Sequence, residues 1–140
     1  MNDHDSTENK KLPALFTSTV EAGFPSPAEQ YIEKALDLNE LLVNHPSATY
    51  FVRAAGESMI GAGIHPGDIL VTDRSLDAVS GDIVIAAVDG EFTVKYLRYD
   101  GKSVWLEPAN PDYSPIYFSG DQELRLFGVV TAVVRKFKRG

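Results

Sequence analysis

Residues 83–99 read IVIAAVDGEFTVKYLRY and contain the strongest strand signal in the chain. Both halves of this segment are rich in β-branched and aromatic residues, which favour strands. Between the halves stands Asp89-Gly90, a pair that accepts the positive φ angles at both central positions of a type I′ turn. The segment therefore predicts an antiparallel hairpin of Ile83–Val88 and Glu91–Tyr99.

The same pattern continues on both sides of this hairpin. Asp100-Gly101 predicts a second two-residue type I′ turn, and Gly128 predicts a bulge or bend in the last strand. Further strands are predicted at Tyr50–Ala55, Ile69–Asp73, Val104–Glu107 and Leu124–Phe137, with turns at Pro66-Gly67-Asp68 and Ser80-Gly81-Asp82. The predicted fold class is mainly β, a compact domain of antiparallel strands.

The N-terminal part of the chain has a different composition. Met1–Lys11 is almost wholly polar, which predicts disorder. The prolines within residues 23–27 cannot continue a helix and predict an extended, accessible segment. We therefore predict a flexible arm at residues 1–30 and a β-rich domain at residues 31–140.

A short helix is predicted where the β-rich domain begins. Residues 31–36 fit either a helix or a strand. Asp37-Leu38-Asn39-Glu40 has the form of a capping box and predicts a helix that continues to Val43.

Composition and charge exclude several classes of function. The 140 residues, 44% of them hydrophobic, are enough for one domain with a core. A net charge of −7 argues against strong direct binding of nucleic acid, because phosphate contacts need clustered cations. The basic cluster near the C-terminus is interpreted as a solvated tail: Arg135, Lys136, Lys138 and Arg139.

Residue types that hold metals or form disulfides are scarce. The chain has no cysteine, and its three histidines show no ligand spacing. Several aspartates are interpreted as turn formers and solubilising charges: Asp68, Asp73, Asp77 and Asp82. No cofactor or metal is therefore predicted. No apolar run approaches the roughly 20 residues of a membrane helix and no signal peptide opens the chain, which predicts a cytoplasmic protein.

Lys95 is an anomaly in the predicted strand Glu91–Tyr99. Because side chains alternate between faces, Lys95 shares one face with Thr93 and Leu97, and neither face of the strand is plainly polar. Lysine is almost never fully buried without a reason. The pattern leaves two interpretations open: a sheet-edge lysine whose ammonium reaches water, or a desolvated lysine whose lowered pKa lets it act as a base.

Ser58 follows the predicted strand Tyr50–Ala55, which places it at a strand end or turn. Such a position exposes the hydroxyl and directs backbone N–H groups to the same space, so the N–H groups of Glu57 and Ser58 are the predicted oxyanion hole. Taken alone, a serine after a glycine is most often a turn residue or a helix cap. His65, in the next turn, is a rival base, although a turn histidine beside a proline is usually solvated.

Ala22-Gly23 lies in the predicted arm. A peptide that lies flat across a nucleophile needs small residues on both sides of the bond to be cut, and glycine takes unusual backbone conformations at low cost. An Ala-Gly pair in a flexible arm is uninformative by itself. Ahead of a candidate dyad of Ser58 and Lys95, it becomes the predicted cleavage site of a chain that is both peptidase and substrate.

Five segments carry a family resemblance: residues 23–28 (GFPSPA), 45–52 (HPSATYFV), 56–60 (GESMI), 81–95 (GDIVIAAVDGEFTVK) and 127–130 (FGVV). With them, the chain from about Leu12 to its C-terminus resembles the LexA/UmuD family of self-cleaving SOS-response serine peptidases. The resemblance implies that Ser58 is the nucleophile, Lys95 the general base and Ala22-Gly23 the cleaved bond. Glu57 stands where the family more often has aspartate.

The resemblance also implies a LexA-type peptidase β fold, a strand at residues 31–36 and a homodimer. It implies RecA on single-stranded DNA as the stimulus for cleavage, and a UmuC-type translesion polymerase as the partner of the shortened product. Repressors of the family carry an N-terminal helix-turn-helix, for which the 22 residues before Gly23 are too few. The alternative from another class is a non-catalytic β-domain adaptor in which Ser58 and Lys95 are incidental.

Overall fold

The computed structural model describes residues 11–16, 19–23, 32–118 and 122–139. In chain order the elements are β1 (Ala14–Phe16), β2 (Ile32–Ala35), α1 (Leu38–Leu42), a 3-10 turn (Pro46–Ala48), β3 (Thr49–Arg53), a second 3-10 turn (Ile60–Ala62), β4 (Ile69–Asp73), β5 (Ile83–Val88), β6 (Glu91–Tyr99), β7 (Val104–Glu107), β8 (Ile116–Tyr117) and β9 (Leu124–Val134). The protein is mainly β with antiparallel strand pairs, as predicted.

The chain forms two compact units that divide between Leu41 and Leu42. In the first unit β1 pairs with β2, so the ambiguous residues 32–35 form a strand. Asp37 caps α1, because its Oδ1 accepts a hydrogen bond from the N–H of Asn39 at 3.0 Å. The predicted disorder of residues 1–11 lies almost wholly outside the described residues, as does the predicted arm boundary at residue 30.

The second unit contains a seven-stranded sheet with the strand order β3-β4-β9-β5-β6-β7-β8. Strands β4, β5, β6 and β7 have the predicted bounds. β3 begins and ends earlier than predicted, and β9 stops at Val134 rather than Phe137. β1 and β8 were not predicted, since strands of three and two residues are too short to show alternation.

The two Asp-Gly pairs form different connections. Asp89 and Gly90 have φ angles of +50° and +86°, which confirms the type I′ turn. The two-residue turn predicted at Asp100-Gly101 is wrong: β6 and β7 are joined by the four-residue loop Asp100–Ser103. The carboxylate of Asp100 accepts the N–H groups of Lys102 at 2.9 Å and Ser103 at 2.8 Å, which stabilises the longer loop.

β9 contains the bulge that Gly128 predicted. Ile85 of β5 pairs with Gly128 and the next residue, Ala86, pairs with Leu126, which leaves Phe127 as the extra residue. Gly128 has a φ of +153°, and a Cβ there would lie 2.7 Å from a side-chain carbon of β4. The bulge therefore requires glycine for both its backbone conformation and its close approach to β4.

Both faces of the seven-stranded sheet are covered by apolar side chains. One buried cluster contains Ala54, Met59, Ile64, Leu70 and Ile85. The other contains Val84, Ala86, Leu97, Leu106 and Val129. Neighbouring residues of β5, Val84 and Ile85, belong to different clusters because successive side chains point to opposite faces. A polar side chain in the middle of this sheet is therefore surrounded by apolar groups on either face.

Candidate active site

The turn that carries Ser58 follows β3 and is fastened to the segment after β7. The N–H of Ala109 donates to the carbonyl oxygen of Ser58 at 2.8 Å, and the N–H of Gly61 donates to the carbonyl oxygen of Ala109 at 2.7 Å. Asn110 Nδ2 donates to the carbonyl oxygen of Glu57 at 2.8 Å. These three hydrogen bonds fix the backbone on both sides of Ser58.

Gly61 lies close to the segment after β7. A Cβ on Gly61 would lie 2.5 Å from the carbonyl oxygen of Ala109, and that oxygen belongs to backbone that is itself hydrogen-bonded. We expect Gly61→Ala to lower the free energy of unfolding by about 1–3 kcal/mol, because the added methyl group forces the two segments apart. Urea unfolding measures this loss, and an unchanged midpoint would contradict the tight fit.

Lys95 is 8% exposed, and three oxygen atoms surround its amine. Its Nζ lies 2.9 Å from Ser58 Oγ, 2.6 Å from Thr93 Oγ1 and 3.2 Å from the carbonyl oxygen of Val94. The strand therefore contains a buried lysine amine rather than an ammonium that reaches water. The structure brings together the serine and the lysine that the sequence singled out.

Burial lowers the pKa of Lys95 below its ordinary value. The three oxygen atoms around Nζ are uncharged, and no carboxylate pairs with Lys95 in the described part of the chain. No opposite charge there offsets the cost of burying a positive charge, and desolvation is the cause of the lowered pKa of Lys95. A neutral amine also fits the site: two N–H groups can donate to Thr93 and Val94 while the lone pair accepts the hydroxyl proton of Ser58.

The N–H groups of Glu57 and Ser58 have no acceptor among the residues that the structure describes. Both belong to the turn that holds Ser58 Oγ. Unpaired N–H groups beside a hydroxyl can bind the negative oxygen of a tetrahedral intermediate. The geometry leaves the predicted oxyanion donors available.

Ser58 and Lys95 line a cleft of about 200 Å³ between the end of β3 and the first half of β6. Apolar side chains form much of its wall, including Val52, Leu70 and Ile85. β7 pairs with β6 only from Tyr96 to Tyr99, so the edge of β6 before Tyr96 is not covered by β7. The cleft is lined largely by apolar side chains, and the amine of Lys95 lies in its wall next to the hydroxyl of Ser58.

Ala22 and Gly23 lie in the first unit of the structure, and both residues are exposed. Apart from its two chain neighbours, no atom of the described residues lies within 4 Å of the position that a Cβ on Gly23 would take. An exposed bond between small residues is accessible to a nucleophile, as the predicted cleavage site requires.

Neither His65, the rival base, nor the nearby Asp68 contacts the hydroxyl of Ser58 in the described structure. His65 is exposed on its turn, whereas the hydroxyl of Ser58 is hydrogen-bonded to Lys95. Asp68 is 1% exposed and binds Arg135 through both carboxylate oxygens, at 2.7 and 3.0 Å. The hydrogen bond from Arg135 lowers the pKa of Asp68. Asp68 also accepts the N–H of His65 at 2.8 Å, as a turn former does, but the interpretations of Asp68 as a solubilising charge and of Arg135 as part of a solvated tail are wrong.

Asp73 is also buried rather than solubilising. Its carboxylate accepts hydrogen bonds from Ser75 Oγ at 2.6 Å, from the N–H of Ser75 at 2.8 Å and from His45 Nδ1 at 2.6 Å. These partners, Ser75 first and His45 next, lower the pKa of Asp73 to about 2. The cluster ties the end of β4 to the turn before β3.

Sequence reasoning missed two residues of the site. Thr93 contacts the amine of Lys95. Its position two residues before Lys95, on the same face of β6, could have indicated this contact. Asn110 contacts the Ser58 turn from a segment 53 residues further along the chain, and no local pattern marks it.

A serine hydroxyl held against a buried lysine amine is the arrangement of hydrolases that activate serine without histidine. The chain belongs to the Peptidase S24-like family, which it matches over residues 14–131. It is 50% identical to Protein SamA of Salmonella typhimurium, over 87% of this chain and 84% of that protein. It is 47% identical to Protein MucA of Escherichia coli, over 84% and 80%.

A more distant relative is LexA repressor 1 of Pseudomonas syringae pv. tomato, 38% identical over 92% of this chain and 63% of that protein. Family membership and these relatives make the protein a serine peptidase of the self-cleaving kind, related to the SOS response. Within the described ranges no helix has the length and apolar character needed to cross a membrane, and no cluster of three or more His, Cys, Asp or Glu side chains could hold a metal ion.

Proposed function

We propose that the protein cuts its own Ala22–Gly23 bond, with Ser58 as nucleophile and Lys95 as general base. The observation that carries the proposal is the 2.9 Å hydrogen bond between Lys95 Nζ and Ser58 Oγ in a buried cleft. The lowered pKa of Lys95 supports it, because only the neutral amine can accept a proton.

The reaction is an acyl transfer followed by hydrolysis. Ser58 Oγ attacks the carbonyl carbon of Ala22 while Lys95 Nζ takes the hydroxyl proton, and the N–H groups of Glu57 and Ser58 bind the resulting oxyanion. The Ala22–Gly23 bond then breaks, and Lys95 returns the proton to the amine of Gly23. Water hydrolyses the ester and restores the hydroxyl of Ser58.

The biological context rests on the family resemblance. RecA on single-stranded DNA stimulates cleavage by favouring the conformation in which the arm occupies the cleft, a population shift that needs no catalytic group from RecA. The product Gly23–Gly140 acts as an accessory subunit of a UmuC-type translesion polymerase. The protein works as a cytoplasmic homodimer and without strong direct DNA binding of its own.

The test is the intact mass of the purified protein over time at pH 7 and pH 10. Wild type is expected to yield a product that begins at Gly23, and Ser58→Ala is expected to lose about 10³-fold or more in rate, because the change removes the proposed nucleophile. Ser47→Ala, a change at an exposed serine outside the cleft, serves as the matched control and should cleave like wild type.

Either of two results would contradict the proposed function. Cleavage by Ser58→Ala at the wild-type rate would remove Ser58 from the mechanism. A wild-type chain that stays intact at both pH values, and also with RecA filaments, would favour the non-catalytic adaptor.

A further inference from the structure

Asn110 contacts the Ser58 turn through one end of its side chain and its own turn through the other. Its Nδ2 donates to the carbonyl oxygen of Glu57 at 2.8 Å. Its Oδ1 accepts the N–H of Asp112 at 2.9 Å. One amide group therefore has two separable contacts, one local and one directed at the backbone beside the nucleophile.

The carbonyl of Glu57 and the N–H of Ser58 belong to the same peptide group. In a trans peptide the C=O and N–H bonds lie in one plane and point in opposite directions. The structure describes no cis peptide bond, so a partner that fixes the direction of the Glu57 carbonyl also fixes the direction of the Ser58 N–H. Asn110 is such a partner.

The other contacts on this turn do not replace that hydrogen bond. Ala109 and Gly61 hold the backbone at and after Ser58, not the peptide group that precedes it. The N–H of Ile60 reaches the carbonyl oxygen of Glu57 only at 3.4 Å, a long and weak hydrogen bond. The short contact on the Glu57 carbonyl comes from Asn110.

We propose that Asn110 is a positioning residue for the oxyanion hole: by holding the carbonyl of Glu57, it directs the N–H of Ser58 towards the oxyanion. The inference rests on the proposed function. Asn110 acts through the Glu57–Ser58 peptide group and touches neither the hydroxyl of Ser58 nor the amine of Lys95 within the described structure. It therefore affects the height of the rate maximum and not the pH at which the rate rises.

Asn110→Asp separates the two contacts. A carboxylate still accepts the N–H of Asp112, so the local turn keeps its hydrogen bond, but it has no donor for the carbonyl of Glu57. The rate of self-cleavage is measured from pH 7 to pH 10 by intact mass. We expect the maximal rate to fall about 10- to 100-fold, somewhat less than the loss of an oxyanion donor itself, with the same apparent pKa as wild type.

Two further variants keep this test decisive. Asn44→Asp makes the same chemical change at an exposed asparagine outside the site and should leave the rate unchanged. Asn110→Ser is uncharged and its hydroxyl can accept the N–H of Asp112, but it is too short to reach Glu57. We expect it to show the same loss of maximal rate and a wild-type thermal midpoint, which separates loss of the donor from added charge and from poor folding.

The inference is overturned if both Asn110 variants keep the wild-type maximal rate, if their loss of rate appears as a shifted apparent pKa, or if it follows a fall in thermal midpoint. Wild-type rates in these variants together with inactive Ser58→Ala would overturn the inference and leave the proposed function standing. A wild-type chain that does not cleave would overturn both.

Discussion

Lys95→Ala is expected to reduce self-cleavage at least 10³-fold between pH 7 and pH 10, an effect comparable to the loss of the nucleophile. In wild type the rate should rise with pH and level off. Burial lowers the pKa of Lys95, and the active form is the neutral amine, so activity is low below that pKa and maximal above it. The measurement is the rate of product formation across this range.

The matched control is Lys102→Ala, which removes an exposed lysine from the loop between β6 and β7. It should retain both the wild-type rate and the wild-type pH profile. A wild-type rate that shows no rise with pH anywhere below the ordinary lysine pKa of 10.5 would be incompatible with a titrating amine as the base. Persistent cleavage by Lys95→Ala would point to hydroxide or another residue.

Arg135→Ala is expected to produce the second large effect, on stability rather than on activity. It leaves the carboxylate of Asp68, which is 1% exposed, without its charged partner. Because the Arg135 side chain is 36% exposed, we expect a fall in thermal midpoint of roughly 5–10 °C, less than the loss of a fully buried partner would cause. Thermal unfolding at pH 7 measures it, with Lys136→Ala as the neighbouring control.

The pH dependence of this second effect has a defined sign. The pKa of Asp68 is lowered in the folded protein, so the pair contributes its stability above the ordinary pKa of 3.8 and loses it as the pH falls through the lowered value. The difference in thermal midpoint between wild type and Arg135→Ala should therefore become smaller at acidic pH. If the difference in thermal midpoint stayed constant down to the pKa that Asp68 has in the folded protein, the lost stability would have come from packing alone.

The elements that sequence predicted well are those with local signals. β5 and β6 combine β-branched residues with a turn whose two residues both take positive φ, so their bounds follow from adjacent residues. The loop at Asp100 was predicted wrongly because an Asp-Gly pair occurs both in two-residue turns and in longer loops. Here the carboxylate of Asp100 accepts hydrogen bonds from the backbone of a four-residue loop.

The residues that were interpreted wrongly from the sequence have partners that lie far away along the chain. Asp68 and Arg135 are 67 positions apart and meet only because β4 and β9 are neighbours in the sheet. A carboxylate in a turn and a basic cluster near a terminus are both usually found exposed at the surface. Only the pairing of β4 with β9 shows that Asp68 and Arg135 form an ion pair. Asn110 escaped prediction for the same reason.

The candidate site was only partly visible in the sequence. Lys95 stood out because a lysine in an apolar strand is costly, and Ser58, a turn serine, was its candidate partner before the resemblance assigned roles to both. The acceptors around the amine depend on how the Ser58 turn packs against β6, which no pattern of residues specifies.

The position of β9 has a consequence for the order in which the protein assembles. β9 follows every other strand of this sheet along the described chain, yet it lies between β4 and β5 and is the strand that joins the β3-β4 pair to the rest of the sheet. Ser58 follows β3, which belongs to the β3-β4 pair. Lys95 lies in β6, on the other side of β9 in the sheet. Because long-range pairing of this kind forms only after the intervening chain exists, a ribosome-bound chain that lacks β9 does not yet have the sheet that unites the two parts. The cleft can therefore assemble only after β9 has been synthesised.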